Sequence, residues 1–370
     1  MTGRGRDQTI LSVVGARPNF MKLAPLARQL ARRRNVKHVI VHTGQHYDRE
    51  MSEVFLQSLA IPRPDVNLEI GSASHAQQTA AIMQRFEPIC LRVRPDIVLV
   101  YGDVNSTLAA GLVAAKLGIH VGHVEAGLRS RDWSMPEEIN RVLTDRLADL
   151  LFTPSRDAGD NLRAEGIPEE RVHFVGNIMI DSLVALLPEA RRHNGGGRGG
   201  LGHGRYVVVT LHRPANVDDP ATLRELLDAL SELSEERQVL FPVHPRTRAR
   251  LRALSWEPPG ERLSLLDPVP YLDMLSLVLG SDLVITDSGG LQEETSFLGI
   301  PCLTVRPNTE RPITCTQGTN RLVAPRREAI RRAADEASGR RGRGPAAIER
   351  WDGKAAERIA AVLCEGAPPD

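Results

Sequence analysis

Four stretches of this chain place acids, bases and hydroxyls directly after apolar runs, where a β-strand would end. Gly102-Asp103-Val104-Asn105-Ser106-Thr107 follows DIVLVY, and Glu125-Ala126-Gly127-Leu128-Arg129 follows IHVGHV. His212-Arg213 follows RYVVVTL, and Asp287-Ser288-Gly289-Gly290, with Glu293-Glu294 one turn on, follows SDLVIT. A carboxylate or an imidazole can move a proton on or off carbon, while fixed cations and helix N–H groups can hold a developing anion. Ser288-Gly289-Gly290 has the small, polar character of a phosphate-holding turn at a helix start, yet the stretch carries no Lys and matches no P-loop pattern. Cations are available elsewhere. Arg17 and Lys22 flank Pro18, which favours a helix start, and His244, Arg306 and Arg311 follow later apolar runs.

Each residue also has a purely structural reading. Ser106 or Thr107 can cap a helix, and Asp287 can be a turn residue. Glu137 and Glu138 come just after Pro136, where carboxylates favour the positive end of a helix dipole. His123 lies inside an apolar strand, as a core or supporting histidine would. His42 and His46 gain little from spacing, Arg32-Arg33-Arg34 reads as a solvated helix end, and Asn105-Ser106-Thr107 fits a glycosylation sequon that has no meaning in the cytosol.

The elements that must position these residues alternate. Apolar runs at 10–15, 39–44, 96–103, 119–127 and 149–155 read as strands, with helical spacing at 18–34, 74–93, 105–118 and 136–148 between them. That alternation predicts a parallel sheet with crossover helices. The pattern restarts with strands at 205–214, 237–245, 262–269, 281–290 and 300–305. The expectation is an α/β chain of two doubly wound Rossmann-like domains facing a central cleft, where such sheets bind ligands beyond their strand ends. An N-terminal domain, 1–175, would be joined by a C-terminal helix at about 350–366; a second domain would span 176–349 and contain a Gly-rich loop, 193–205. The G-x-G-x-x-G at Gly195, Gly197 and Gly200 is not a dinucleotide fingerprint, because no strand leads into it.

Composition narrows the partners. With 47 Lys and Arg against 46 Asp and Glu, a formal charge of +1, the chain has no global electrostatic case for nucleic acid or an anionic membrane. Cys90, Cys302, Cys315 and Cys364 lack the close pairing of a metal or redox motif, which predicts no metal and reduced thiols in a cytoplasmic protein. No signal-peptide segment or membrane span is expected.

As an ordered set, the motifs become specific. GARPNFMKLAPL, TGQHYDREM, GDVNSTLAA, GHVEAGLRS, MPEEINRVLTD, FVGNIMIDSL, LHRPANVDD, PVHPRTR, YLDML, TDSGGLQEE and NTERPITCTQGTNRLV run from about residue 10 to 323. Together they resemble the bacterial UDP-N-acetylglucosamine 2-epimerases of the non-hydrolysing type. The resemblance implies a fold of the glycosyltransferase B type, a last helix that returns to the N-terminal domain, and commonly a homodimer.

It also implies a chemistry. UDP is eliminated across C1–C2 to give a 2-acetamidoglucal and is re-added with a proton on the other face of C2, which needs no hydride carrier and no cofactor. By residue-for-residue resemblance Asp103, Glu125, Glu137 and His212 take the catalytic positions, the carboxylates moving the C2 proton and His212 assisting at the leaving diphosphate. Arg17 and Lys22 match a basic pair near phosphate and sugar. Ser288, Gly289 and Gly290 would meet the diphosphate, Glu294 the ribose diol, and His244, Arg311 and neighbouring Arg213 further phosphate or sugar contacts.

Some residues depart from the commonest pattern. GARPNF stands where many members have GTRPEA, and YGDVNSTLAA with RDWSMPEEIN leans towards a subgroup that includes epimerases of UDP-2,3-diacetamido sugar acids. Gln45 is kept from a second UDP-sugar site found in many members, but Glu50 and GSASHAQQ (71–78) lack its expected Gln and Arg. Arg17-Pro18 differs from the Arg-Ala-Asp/Glu opening of hydrolysing relatives, which argues against release of free N-acetylmannosamine. A glycosyltransferase on the same architecture would have no need of Asp103, Glu125 and Glu137, and a non-catalytic UDP-sugar sensor no need of an intact catalytic set.

Overall fold

Among the described residues every strand pairing is parallel, in two separate sheets. The structure, a computed structural model, describes residues 7–44, 61–193, 206–337 and 347–365. His46, Gln45, Glu50 and all of the Gly-rich loop but His193 lie outside the described residues.

The first sheet contains β1 (Gln8–Val14), β2 (Val36–His42), β3 (Val66–Asn67), β4 (Ile97–Tyr101), β5 (His120–Val124), β6 (Leu150–Thr153) and β7 (Val172–Phe174), in the order β3-β2-β1-β4-β5-β6-β7. Ile97-Val98-Leu99-Val100-Tyr101 is buried at every position, the continuous apolar run expected of a parallel strand covered on both faces. One face packs Leu11, Val13, Val98 and Val100 against Ile82 and Phe86 of the helix His75–Val93 and Ala109, Ala110 and Val113 of the helix Asn105–Lys116.

The second sheet contains β8 (Tyr206–Thr210), β9 (Gln238–Pro242), β10 (Leu263–Leu266), β11 (Leu283–Thr286), β12 (Cys302–Val305) and β13 (Asn320–Val323), in the order β10-β9-β8-β11-β12-β13. Its core sets Val207, Val209, Phe241 and Ile285 against Leu223, Leu226, Leu227 and Leu230 of the helix Pro220–Glu236. β3, β7 and β13 are edge strands of two to four residues, too short for apolar patterning to signal, and they are additions to the expected strands.

In an open parallel sheet, two neighbouring strands whose crossovers run to opposite sides leave a crevice beyond their C-terminal ends. That switch falls between β1 and β4 in the first sheet, and between β8 and β11 in the second. The loops it exposes begin at Gly15 and Gly102 in one case, and at Leu211 and Asp287 in the other.

The chain divides into two compact units, Met1–Ser182 with Glu349–Asp370, and Leu183–Ile348, the first change falling inside the helix Ile178–Arg192. The last helix, Ala355–Glu365, packs against Arg17–Leu30 within the first unit. It starts later than about 350, because a turn precedes it: Gly353 has φ +76° and the Lys354 N–H donates to Asp352 Oδ1 at 3.1 Å. Asp181 then accepts the Ala355 and Ala356 N–H groups at 3.1 and 2.8 Å, satisfying donors that a helix start leaves open. Trp351 Nε1 donates to the Pro154 carbonyl at 3.0 Å, and Arg350 reaches the Phe174 carbonyl and stacks on its ring. Among the described residues no helix is long and apolar enough to cross a membrane.

Candidate functional site

In the first unit, the candidate acids are held by partners on three elements. Gly102 leaves β4 with φ +63°, and a Cβ there would meet Lys22 Nζ at 2.8 Å, so glycine satisfies both the turn and the lysine. Asp103 Oδ2 accepts from Arg141 Nε at 3.0 Å and Nη2 at 2.6 Å. The neighbouring Asn140 donates to the Asp103 carbonyl at 2.9 Å. Arg141 also donates from Nη1 to Glu138 Oε2 at 2.6 Å, and Glu138 accepts the Ser130 and Arg131 N–H groups at 2.9 and 2.7 Å.

This separates two adjacent glutamates. Glu138 is buried and fully engaged in shaping the Ser130–Arg131 loop, whereas Glu137 is exposed in the first turn of the helix Pro136–Leu147, four residues before Arg141 and on the same face.

Glu125 is buried and pairs with the buried Lys22. Its φ of +76° is a costly conformation for a residue with a Cβ, so the backbone at the end of β5 is over-determined by its surroundings. Its N–H and that of Ala126 both reach the Phe152 carbonyl, at 3.1 Å each. His123, fully buried, lies between this loop and the previous one: Nε2–H donates to the Gly102 carbonyl at 2.7 Å, and Nδ1 meets Asp145 Oδ1 at 2.6 Å. Asp145 also accepts from the Gly127 N–H at 3.1 Å and pairs with Arg129 at 2.7 Å. Burial pushes the Asp145 carboxyl up, but His123 and then Arg129 outweigh it and hold it below the ordinary range. Arg17 opens the helix Arg17–Leu30, and its side chain lies outside what the structure describes.

In the second unit the hub is Asp287, fully buried at the end of β11. Its carboxylate accepts the His212 N–H at 2.9 Å, the Arg213 N–H at 2.9 Å and Asn216 Nδ2 at 3.1 Å, and it lies 2.9 Å from His212 Nδ1. Burial alone would raise this acid; the His212 ring and then the backbone donors outweigh it and keep it below the ordinary carboxylate range. An acid on Nδ1 fixes the ring's orientation and tautomer and leaves Nε2 to the ligand side. The His244 ring lies with its centroid 5.6 Å from that of His212, and burial, followed by the charge of His212, holds His244 below the usual histidine range.

Ser288 is the N-cap residue of the helix Gly289–Leu298, its side chain making no cap bond to the helix. A Cβ on Gly289 would meet Arg311 Nη1 at 2.6 Å and Glu310 Oε1 at 2.9 Å, whereas one on Gly290 would meet open space beyond Ser288 Oγ at 4.0 Å. Glycine at 289 therefore lets a guanidinium approach the helix start. Arg311 is bound by Glu293 at 2.6 Å and by Glu310, Arg306 pairs with Glu310 at 2.7 Å, and Arg213 Nε donates to the Asp287 carbonyl at 2.9 Å. Glu293, Glu310 and the buried Asp287 balance the three guanidinium groups, which therefore stand as fixed, charge-compensated donors beside helix-start N–H groups that favour an anion. Glu294 is buried and accepts from the Tyr271 hydroxyl at 2.8 Å. Burial pushes its carboxyl up to about 7, with Tyr271 pulling against this and Glu293 adding to it.

The expected residues divide between the units: Arg17, Lys22, Asp103, Glu125 and Glu137 lie in the first, with Lys22 paired to Glu125, and His212, Arg213, His244, Ser288, Gly289, Gly290, Glu294 and Arg311 lie in the second. Sequence reasoning missed Arg141, Asp145 and Tyr271. Arg141 had a signal, its i+4 spacing from Glu137 on a helix; the contacts of Asp145 and Tyr271 span 22 and 23 residues and had none. Among the described residues no group of three or more His, Cys, Asp or Glu could hold a metal ion.

The sequence model of the UDP-N-acetylglucosamine 2-epimerase family matches residues 28–364. A UDP-N-acetylglucosamine 2-epimerase homolog of Methanococcus maripaludis is 44% identical over 326 residues, covering 87% of this chain and 90% of its own length. The UDP-2,3-diacetamido-2,3-dideoxy-D-glucuronate 2-epimerase of Pseudomonas aeruginosa is 41% identical, covering 90% of this chain and 92% of its own. The crystal structure of the Methanocaldococcus jannaschii UDP-GlcNAc 2-epimerase in complex with UDP-GlcNAc and UDP superposes with a TM-score of 0.88 at 38% identity, over 97% of this chain and all of that one.

Proposed function

The chain belongs to the UDP-N-acetylglucosamine 2-epimerase family, and on that premise we propose that it interconverts UDP-N-acetylglucosamine and UDP-N-acetylmannosamine by inverting C2. A base removes the C2 proton while the C1–O bond to UDP breaks, giving a 2-acetamidoglucal and free UDP; UDP then adds back to C1 as a proton is delivered to the opposite face of C2. Atoms and charge balance without a hydride carrier.

Asp103, Glu125 and Glu137 supply the proton-transfer groups. The observation that carries this reading is how the first two are held. Asp103 is clamped by Arg141, and Glu125 sits in a strained backbone against Lys22. Glycosyl transfer from the same nucleotide would give such groups no task. His212, oriented by Asp287, acts at the leaving diphosphate, with the Ser288–Gly290 helix start, Arg213, His244 and Arg311 around the charge that develops there. Arg17 and Lys22 complete the basic side, and Glu294 accepts from the ribose diol.

A second reading is supported by the 41% identity to the Pseudomonas aeruginosa enzyme: the same inversion on a UDP-2,3-diacetamido sugar acid. Exposed Ile139 and Leu143, one turn apart on the helix Pro136–Leu147, support self-association as a homodimer, and four free cysteines suit the reducing cytosol.

Proton NMR in D₂O with UDP-N-acetylglucosamine tests the reading. The expected result is UDP-N-acetylmannosamine with deuterium at C2; free N-acetylmannosamine plus UDP would mean hydrolysis instead. Turnover only of the diacetamido sugar nucleotide would select the second reading.

A further inference from the structure

Tyr271, half-buried, opens the helix Tyr271–Gly280, and its hydroxyl donates to Glu294 Oε1 at 2.8 Å. No other hydrogen bond to the Glu294 carboxylate is found among the described residues. The groups around this carboxylate are Tyr271 from the facing helix and Glu293 on its own helix, Glu293 being bonded to Arg311, which also binds Glu310. A carboxylate in such a place has two problems as a ligand for a vicinal diol. It can rotate, and burial beside Glu293 favours its neutral form, which has lost part of its accepting capacity.

We propose that Tyr271 is a positioning residue for nucleotide recognition: its hydroxyl occupies one oxygen of Glu294, fixes the plane of the carboxylate and keeps it an acceptor for ribose hydroxyls. This rests on the reading of Glu294 as the ribose contact. The second consequence is a pH dependence. Glu294 has been pushed up to about 7 in spite of the Tyr271 bond; without that bond it rises further, so the accepting form is scarcer at neutral pH and returns only in more alkaline solution.

The test is calorimetric titration of the full-length protein and of Tyr271→Phe with UDP and with a 2′,3′-dideoxy analogue of UDP, between pH 6.5 and 9. Phenylalanine keeps the packing and removes only the hydroxyl. A hydrogen bond to a charged group corresponds to about 1.5–3 kcal/mol, so UDP is expected to bind about ten-fold or more weakly to Tyr271→Phe at pH 7. That gap should narrow towards pH 9, with less than about two-fold loss for the analogue, whose missing hydroxyls make the carboxylate irrelevant. Equal losses for both ligands would reduce Tyr271 to a packing residue and overturn the inference, as would unchanged UDP affinity. Wild-type protein that binds neither ligand would instead remove the nucleotide reading on which the inference stands.

Discussion

At the scale of single residues, adjacent carboxylates on the same helix turn have opposite surroundings because of which way each side chain leaves the helix. Glu138 is used up by Arg141 and two backbone N–H groups; Glu137 is exposed in the first turn of the same helix. Glu138→Gln is therefore expected to cost about 2 kcal/mol of stability by weakening charge-assisted bonds. Glu137→Gln should melt like the parent and lose about 10²–10⁴ in turnover. Thermal melts and the NMR assay on the two variants give both readouts, and a Glu137→Gln enzyme of normal rate would remove Glu137 from the mechanism.

Glu294 carries a different kind of signature. Its folded-state pKa of about 7 lies above its unfolded value near 4.5, so the native state binds the proton more tightly. The stability this contributes is present below pH 4.5 and is lost as pH rises through 7. Glu294→Gln cannot ionise and still accepts from Tyr271. At pH 8 it should be more stable than the parent, on the order of 2 kcal/mol, with the difference vanishing near pH 4.5 and UDP affinity reduced. Identical melting curves at pH 8 would argue against a strained, buried carboxylate.

At the scale of elements, the strand ends do the positioning. β4 and β5 deliver Asp103 and Glu125 from loops joined through His123, which bonds the Gly102 carbonyl from the middle of β5. β8 and β11 are paired with Thr210 opposite Thr286, so the segments that follow, Leu211–Arg213 and Asp287–Gly290, leave the sheet side by side and Asp287 can collect the His212 and Arg213 N–H groups. The C-terminal helix acts at a distance from all of this, as a brace on the helix Arg17–Leu30 that begins with the basic pair. Trp351 fastens the turn before it, being buried and bonded to the Pro154 carbonyl. Trp351→Ala should cost about 3–5 kcal/mol; chemical denaturation followed by circular dichroism would measure it, and a cost below about 1 kcal/mol would mean the brace is held by other contacts.

At the scale of the whole molecule, separate hydrophobic cores in each of two units make a single two-state transition a poor description. The residues proposed to hold UDP lie in Leu183–Ile348, so UDP without a sugar should slow hydrogen exchange first at the 286–294 and 211–216 segments. Protection confined to the loops after β4 and β5 would place the nucleotide in the wrong unit.

The alternation of apolar strands with amphipathic segments sufficed, on sequence alone, for the doubly wound α/β class, because strand burial on both faces and helical periodicity are local properties of the chain. Motif order sufficed for the family. The polar residues at strand ends were also readable, since a parallel sheet exposes ligands at those ends whatever the details. Pairing was not. That Asp287 is the partner of His212, that Arg141 holds Asp103 and that Tyr271 bonds Glu294 depends on contacts across 75, 38 and 23 residues, which no local period encodes. Only tertiary structure separates Glu137 from Glu138, whose neighbouring positions look alike in sequence: burial and backbone donors reach Glu138, while Glu137 is left exposed.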